Sequence, residues 1–375
     1  MDRQLRSRTL IGHRLFLLGM GGINLIGGMS ADAPLLGVVA LPFLPLGTAR
    51  LAGTNPHGLV MVVSFMGTAI SLERAIALRA KWAFGTPFLL GLDGIALLGG
   101  WAPLGHLFQF EGALLLFATY VALWQRSPIT LLAVFGLSAV MLVLATALAP
   151  FLTIKPLVPM LCTFLVATIA AERAELAQLT LPKTSEKVIA TLVVALALAA
   201  ALYLVLSVTA SVFGALALAA LALWLAANDV AKTSIRRPGI HRFIGAALLI
   251  GYFWLLIAAG TWLVTALCAA RVPPLEVAAQ INVYDVVIHS VFVGFGLSMI
   301  MAHAPVILPA VIHRSLSVHR LAWAPLLVMN IALAVRVGGD FVGLIALWQV
   351  GAVLIIFAVL AFLVSSIYFC VKGKR

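Results

Sequence analysis

The sequence predicts an all-α protein, a polytopic transmembrane helical bundle of about twelve spans. Hydrophobic residues make up 63% of the 375 positions and charged residues only 10%. The mean hydropathy is +1.16, which lies far outside the range of soluble domains. The apolar runs are ~20 residues long and lack the alternation of a barrel strand. Because backbone polar groups find no partners in lipid, such runs must be helical.

A helix is predicted on each apolar run in turn. The first run has the charged-then-apolar start of a signal peptide but no convincing small-residue cleavage site, so we interpret it as a retained span. The stretch at 34–48 is apolar but short and interrupted by prolines, which predicts a re-entrant or interfacial segment. The predicted spans are 9–29, 57–78, 84–103, 106–125, 129–149, 157–178, 187–207, 210–228, 242–269, 284–312, 321–338 and 342–371.

The distribution of cationic residues predicts the orientation of the chain. The 24 Lys and Arg residues give a formal charge of +12, but they lie in short clusters between apolar runs. This pattern predicts topology signals in a lipid bilayer and no nucleic-acid partner. The clusters before span one and after every even-numbered span outweigh those in the opposite loops. The positive-inside rule therefore predicts that both termini are cytoplasmic.

A weak internal repeat covers 57–78 and 156–178. The segments FMGTAISLERAIAL and FLVATIAAERAELAQL share Phe, Ile and Glu-Arg-Ala at a constant offset of four spans. Parallel repeats of this kind predict one integral-membrane domain over 1–375, built from three four-helix units. A chance match between Ala- and Leu-rich helices is the alternative. The neighbouring charges Glu73–Arg74 and Glu172–Arg173 are predicted to pair and anchor the helix ends.

Ionisable residues inside membrane spans are energetically costly and are therefore candidate functional residues. His57 opens span two, His106 starts span four, and His289 lies in the outer half of span ten. The topology predicts all three on the non-cytoplasmic side. His303 follows 14 residues after His289, about 21 Å deeper at ~1.5 Å per residue. One metal ion therefore cannot bind both.

These histidines predict a metal or haem site. Imidazole is a common metal ligand, and pairs of histidines from facing helices hold haem b in helix bundles. One hypothesis is a bis-histidine haem b on His57 and His289, with small neighbours leaving room for a flat macrocycle, namely Gly58, Gly294 and Gly296. Another is a copper site that uses His57 and Met61, one turn later. The structural alternatives are interfacial histidines and a helix–helix hydrogen bond.

Two further residues have competing interpretations. His303 precedes Pro305 and Pro309, and proline frees carbonyl groups on the preceding turn. His303 is therefore either structural at a kink or part of a proton relay. Arg336 borders the predicted outer face, where it can pair with a haem propionate or form an intra-loop ion pair with Asp340.

Several chemistries lack the motifs that they need. The sequence has no P-loop, G-x-S-x-G, HExxH or CxxCH motif, so ATP-driven transport, hydrolysis and covalent haem attachment have no support. Cys162, Cys268 and Cys370 are isolated, which argues against a disulfide framework or a thiolate metal site. Whether the protein is an enzyme stays open at this point.

The segments 57–87 (HGLVMVVSFMGTAISLERAIALRAKWAFGTP) and 289–311 (HSVFVGFGLSMIMAHAPVILPAV), with the VRVGGD that follows, resemble the NnrS family of bacterial inner-membrane proteins. The resemblance implies about twelve spans, bound haem and copper, and a role in nitric oxide metabolism and nitrosative stress. The early motif of that family has two histidines flanking an alanine and a following glutamate. In this chain only His57 matches that motif.

A more distant likeness is to the catalytic subunit of haem–copper oxidases, which binds its low-spin haem between histidines of spans two and ten. His57 and His289 fit that placement. That family also needs copper-binding histidines on spans six and seven, and these spans contain none here. We therefore predict no oxygen reduction at a haem–copper centre. A redox partner or quinol is the partner that electron transfer implies. The alternatives are a metal-free secondary transporter with a site at the proline-containing helix 303–309 or an accessory subunit of a respiratory complex.

Overall fold

The computed structural model describes the backbone of residues 2–32, 56–178, 181–182, 184–271, 282–312 and 320–372, with side chains placed over somewhat shorter ranges. Throughout these residues the regular structure is helical and no strand is present. The all-α prediction is confirmed. The predicted re-entrant segment at 34–48 lies outside the described residues.

Within the described ranges, the main helices coincide with the twelve predicted spans. Two of them are composite, because a π-helical segment interrupts the α-helix: α2 comprises His57–Leu59, Val60–Met66 and Gly67–Leu78, and α10 comprises Val283–His289, Ser290–Leu297 and Ser298–Ile312. The others are α1 (Asp2–Asp32), α3 (Gly85–Leu98), α4 (Ala102–Arg126), α5 (Thr130–Leu148), α6 (Ile154–Leu176), α7 (Ser185–Leu202), α8 (Ser207–Asn228), α9 (Ile240–Arg271), α11 (Trp323–Val342) and α12 (Ile345–Lys372).

Eleven of the described helices are long and apolar enough to cross a membrane. The exception is α3, with 14 residues, which rises about 21 Å against a hydrocarbon core of ~30 Å. A 3₁₀ turn at Lys81–Phe84 leads directly into it and extends the element by about 8 Å. The chain is therefore a polytopic helical membrane protein. Whether its number of spans is even or odd depends on whether α3 crosses the membrane.

The chain forms two compact units, Met1–Phe164 and Leu165–Arg375. In unit 1, α1 packs on α2 and α3, α3 packs on α4, and α4 packs on α5. In unit 2, α8 packs on α7 and α9, α9 packs on α10, and α11 packs on α12. Helix α6 begins in unit 1 and ends in unit 2. A single domain of three four-helix repeats stays a prediction.

Both π-helical segments directly follow a candidate histidine. The segment Val60–Met66 begins three residues after His57, and Ser290–Leu297 begins one residue after His289. Long π-helical stretches are rare and are often found at functional sites. Helix α6, the second copy of the sequence repeat, is α-helical throughout and contains Pro159. The π geometry is therefore shared by the two helices that carry the candidate haem ligands His57 and His289, and not by the two copies of the repeat.

Helix α10 is not broken at 303–309. Its last part, Ser298–Ile312, continues as an α-helix through Pro305. The departure from α geometry lies earlier, in Ser290–Leu297. The expectation of a proline-broken helix for a substrate site is therefore wrong, because each proline removes one backbone N–H without ending the helix.

Candidate functional site

His289 is buried in α10 and has a defined tautomer. Its Nδ1 lies 2.9 Å from the carbonyl oxygen of Asp285 and 3.3 Å from Oδ1 of the same residue. A carbonyl and a carboxylate oxygen only accept, so Nδ1 carries the proton, and in the neutral ring Nε2 carries the lone pair. Within the part of the chain that the structure describes, Nε2 has no hydrogen bond. This is the arrangement in which a carboxylate orients a metal-binding histidine.

The Asp285 carboxylate is itself held by two residues from neighbouring helices. Arg336 donates from Nε to Oδ2 at 2.8 Å and from Nη2 to Oδ1 at 2.7 Å. Trp348 donates from Nε1 to Oδ2 at 3.0 Å, and its ring lies 4.7 Å from the guanidinium carbon of Arg336. Two parallel bonds fix the relative orientation of the two planar groups. The hydrogen bonds to Asp285 therefore fix the orientation of the His289 imidazole.

Arg336 does not form the intra-loop ion pair with Asp340 that the sequence suggested. Helix α11 extends to Val342, so Asp340 lies on the helix one turn beyond Arg336 and not in a loop. The guanidinium group of Arg336 instead forms an ion pair with Asp285 of the facing helix α10. Oδ2 of Asp340 is buried and lacks a hydrogen bond from any described residue, although its carboxyl group approaches that of Asp285.

His57 and Met61 meet the same residue of α1. Nδ1 of His57 lies 2.8 Å from the carbonyl oxygen of Gly28, which again places the proton on Nδ1. A Cβ atom built on Gly28 would lie 2.8 Å from Sδ of Met61. His57 and Met61, the two ligands of the copper hypothesis, therefore both lie next to Gly28.

Two of the three glycines near the histidines, Gly58 and Gly294, do not leave open faces. A Cβ at Gly58 would collide with the end of the Ile154 side chain, and one at Gly294 would collide with the Trp254 ring. Trp254 is anchored by a hydrogen bond from Nε1 to Oδ1 of Asn330 at 2.8 Å. A macrocycle beside these histidines would therefore have to lie against other faces of the helices than those of Gly58 and Gly294.

His303 belongs to a separate charged network in unit 2. Its Nδ1 donates to the carbonyl oxygen of Met299 at 2.7 Å, and its Nε2 lies 3.2 Å from Nη1 of Arg173 and 3.8 Å from Oε1 of Glu172. Arg173 makes a two-point ion pair with Asp229 at 2.8 and 3.0 Å. Arg173 thus forms a longer-range ion pair in addition to its electrostatic interaction with the neighbouring Glu172. Glu73 and Arg74 pair as predicted, at 3.2 Å.

Asp229 follows directly after α8, outside the membrane-spanning segment. Burial by itself would raise the pKa of its carboxyl group. The hydrogen bonds and positive charge of Arg173, with hydrogen bonds from the Tyr252 hydroxyl and the Ala231 N–H, outweigh that effect and hold the pKa below its ordinary value. Asp229 therefore stays ionised and keeps Arg173 paired, which favours a structural role for this network.

His106 lies at the edge of a buried polar pocket that the sequence analysis missed. Its Nδ1 is 3.4 Å from Oε1 of Gln109, and Gln109 neighbours the carboxyl group of Asp93. Four fully buried polar side chains from α1 to α4 cluster here, and we call this cluster the Asp93 pocket: Asn24, Ser64, Asp93 and Gln109. Ser64 and Gln109 interact with the Asp93 carboxyl group, and Asn24 and Ser64 both lie against the adjacent Gly94. The signal in the sequence was a single carboxylate within the apolar run LLGLDGIALLGG.

The candidate ligands are distributed over both units. His57, Met61 and His106 lie in unit 1, and His289 and His303 lie in unit 2. Among the residues that the structure describes, no three or more His, Cys, Asp or Glu side chains form a group that could hold a metal ion.

The fold and these buried polar sites define a multi-pass helical membrane protein with ionisable groups inside its spans. The chain belongs to the family described as "Domain of unknown function (DUF8744)", whose profile matches residues 14–371. No curated protein and no solved structure matches the chain.

Proposed function

We propose that this protein binds haem b through imidazole ligands, with His289 and His57 as the candidate axial ligands. The observation that carries the proposal is the support of His289. Its Nδ1–H is held by Asp285, whose carboxylate is fixed by Arg336 and Trp348. Such a support defines which nitrogen is free to bind iron and in which direction it points.

The bound haem would supply electron transfer or nitric oxide binding. Both roles agree with the resemblance of 57–87 and 289–311 to the NnrS family, and with a bacterial inner-membrane location with cytoplasmic termini. A haem with two axial imidazoles is closed to nitric oxide unless one ligand leaves, so electron transfer with a redox partner or quinol is the favoured role. Copper is the second metal of the proposal, with His57 and Met61 as its ligands.

The absorption spectrum of detergent-purified protein, oxidised and dithionite-reduced, tests the proposal. We expect a sharp reduced α-band that is lost in His57→Ala and His289→Ala and retained in His13→Ala, a control that replaces an exposed histidine of α1. His289→Met keeps a potential iron ligand and should shift the band without removing it. A colourless wild type after expression with ample haem would contradict the proposal, as would a band retained in both alanine variants.

A secondary transporter is the second candidate, and the Asp93 pocket favours it. Transporters place ionisable and polar side chains near the middle of the membrane, where they bind substrates or coupling ions. A transporter would purify without a haem spectrum and would be stabilised by its ion or substrate. The accessory-subunit alternative predicts instead that the chain aggregates without its partner.

A further inference from the structure

We infer that unit 1 contains a sodium-binding site at the Asp93 pocket, within the membrane-spanning part of the molecule. Asp93 lies in α3 and is 0% exposed. Neither of its carboxylate oxygens has a hydrogen bond from a described residue. Burying an unpaired carboxylate is costly unless a positive charge accompanies it. The charge of Asp93 must therefore be neutralised, either by a proton or by a bound cation, and the surrounding atoms favour the cation.

The other atoms of the pocket are of the kind that hard cations prefer. Oδ1 of Asn24 and Oγ of Ser64 are buried and, among the described residues, also without a hydrogen-bond partner. With the two oxygens of Asp93, this makes four buried oxygen atoms on three helices without a hydrogen-bond partner among the described residues, beside Nε2 of Gln109, a buried donor that also has none. Oxygen atoms of carboxylates, amides and hydroxyls are the ligands of hard cations. A cation bound here would take its ligands from these oxygen atoms.

The orientation of Asn24 is fixed by its own hydrogen bond. Nδ2 donates to the carbonyl oxygen of Gly91 at 2.9 Å, and because a carbonyl only accepts, the side-chain oxygen points the other way. A Cβ built on Gly94 would lie 2.5 Å from Oδ1 of Asn24 and 2.7 Å from Cβ of Ser64. Helices α1, α2 and α3 therefore approach closely enough to direct their oxygens into one small space.

The charge of the pocket selects a monovalent ion. Ser64, Gln109 and the Gly94 backbone are the groups that interact with the Asp93 carboxyl group, and no Lys, Arg or His side chain is among them. One carboxylate is neutralised by one positive charge, whereas a divalent ion would leave a net charge in a low-dielectric site. The close approach at Gly94 favours sodium over the larger potassium ion.

The site is independent of the haem proposal, because none of its four side chains is a candidate haem ligand. Ser64 lies in the π-helical segment of α2, so the site joins that segment to α1, α3 and, through Gln109, to α4. His106 is in contact with Gln109 at the start of α4. The half-buried imidazole of His106 therefore lies between Gln109 and the N-terminal end of α4.

The test measures binding of radioactive sodium to detergent-purified full-length protein, alongside the thermal stability of the protein in NaCl, KCl and choline chloride at equal ionic strength. We expect saturable sodium binding and a higher unfolding temperature in NaCl. Asp93→Asn should abolish both effects. Ser64→Ala, which removes one oxygen ligand, should raise the half-saturating sodium concentration about tenfold. Glu111→Gln, an exposed carboxylate on α4, should leave both effects unchanged.

Three outcomes would overturn the inference. The first is equal stability of the wild type in the three salts with no saturable binding. The second is sodium binding that persists in Asp93→Asn. The third is stabilisation by acid without any preference for sodium, which would identify a proton as the occupant. Should Asp93→Asn fail to fold, an unchanged sodium affinity of Ser64→Ala would by itself contradict the site.

Discussion

Arg336 and Asp285 form an ion pair that is buried inside the protein. Their side chains are 5% and 8% exposed, so both have lost most of their hydration. The loss is compensated only because two hydrogen bonds join them and Trp348 supplies a third. A buried pair of this kind adds little net stability, but either partner left alone is strongly destabilising.

Removing one partner of this buried ion pair should therefore destabilise the protein more than removing both. Asp285→Asn should lower the stability of the protein by about 3–5 kcal/mol, because Arg336 is left as an uncompensated buried charge. The double variant Asp285→Asn with Arg336→Gln should recover a large part of that loss. The measurement is the midpoint temperature of thermal aggregation in detergent.

Asp340→Asn is the matched control, because it changes a neighbouring buried carboxyl group and leaves the ion pair intact. Its effect should be much smaller than that of Asp285→Asn. If Asp285→Asn kept the wild-type midpoint, Arg336 would have another anion available, and the support of His289 would have to be reassigned.

At the scale of helices, α11 and α12 of unit 2 pack with their backbones in close contact. A Cβ built on Gly351 of α12 would lie 2.5 Å from the backbone nitrogen of Arg336 and 2.6 Å from the carbonyl oxygen of Ala332. These are backbone atoms and cannot rotate away. Small residues allow membrane helices to approach this closely, and here the approach brings Trp348 of α12 to Asp285.

Gly351→Ala should therefore separate α11 from α12 and destabilise the protein by about 1–3 kcal/mol. Gly136→Ala is the control, because a Cβ at Gly136 meets no atom within 4 Å and alanine favours a helix over glycine. Thermal midpoints of both variants in detergent provide the measurement. Equal midpoints would mean that the contact at Gly351 relaxes without cost.

At the scale of the whole molecule, the number of spans decides the orientation of the C-terminus. Eleven described helices are long enough to span, and α3 would make twelve. The positive-inside pattern predicts an even number, with both termini cytoplasmic.

A reporter fused to the C-terminus tests whether the number of membrane spans is even. Green fluorescent protein should fluoresce there, and alkaline phosphatase should be inactive, because the C-terminus is expected to be cytoplasmic. The same reporters placed after Arg126, in the predicted cytoplasmic loop, provide the positive control. An active phosphatase at the C-terminus together with an inactive one after Arg126 would mean an odd number of crossings downstream.

The sequence by itself determined the class of the protein and the place of each helix, because hydrocarbon requires long apolar helices wherever a chain crosses it. It also identified the histidines, since ionisable groups inside spans are few. The tertiary structure decided what these groups touch. Asp229 lies 56 residues from Arg173, and Arg336 lies 51 residues from Asp285, so no local pattern links them. The π-helical segments and the Asp93 pocket depend likewise on contacts between helices, which apolar composition leaves unspecified.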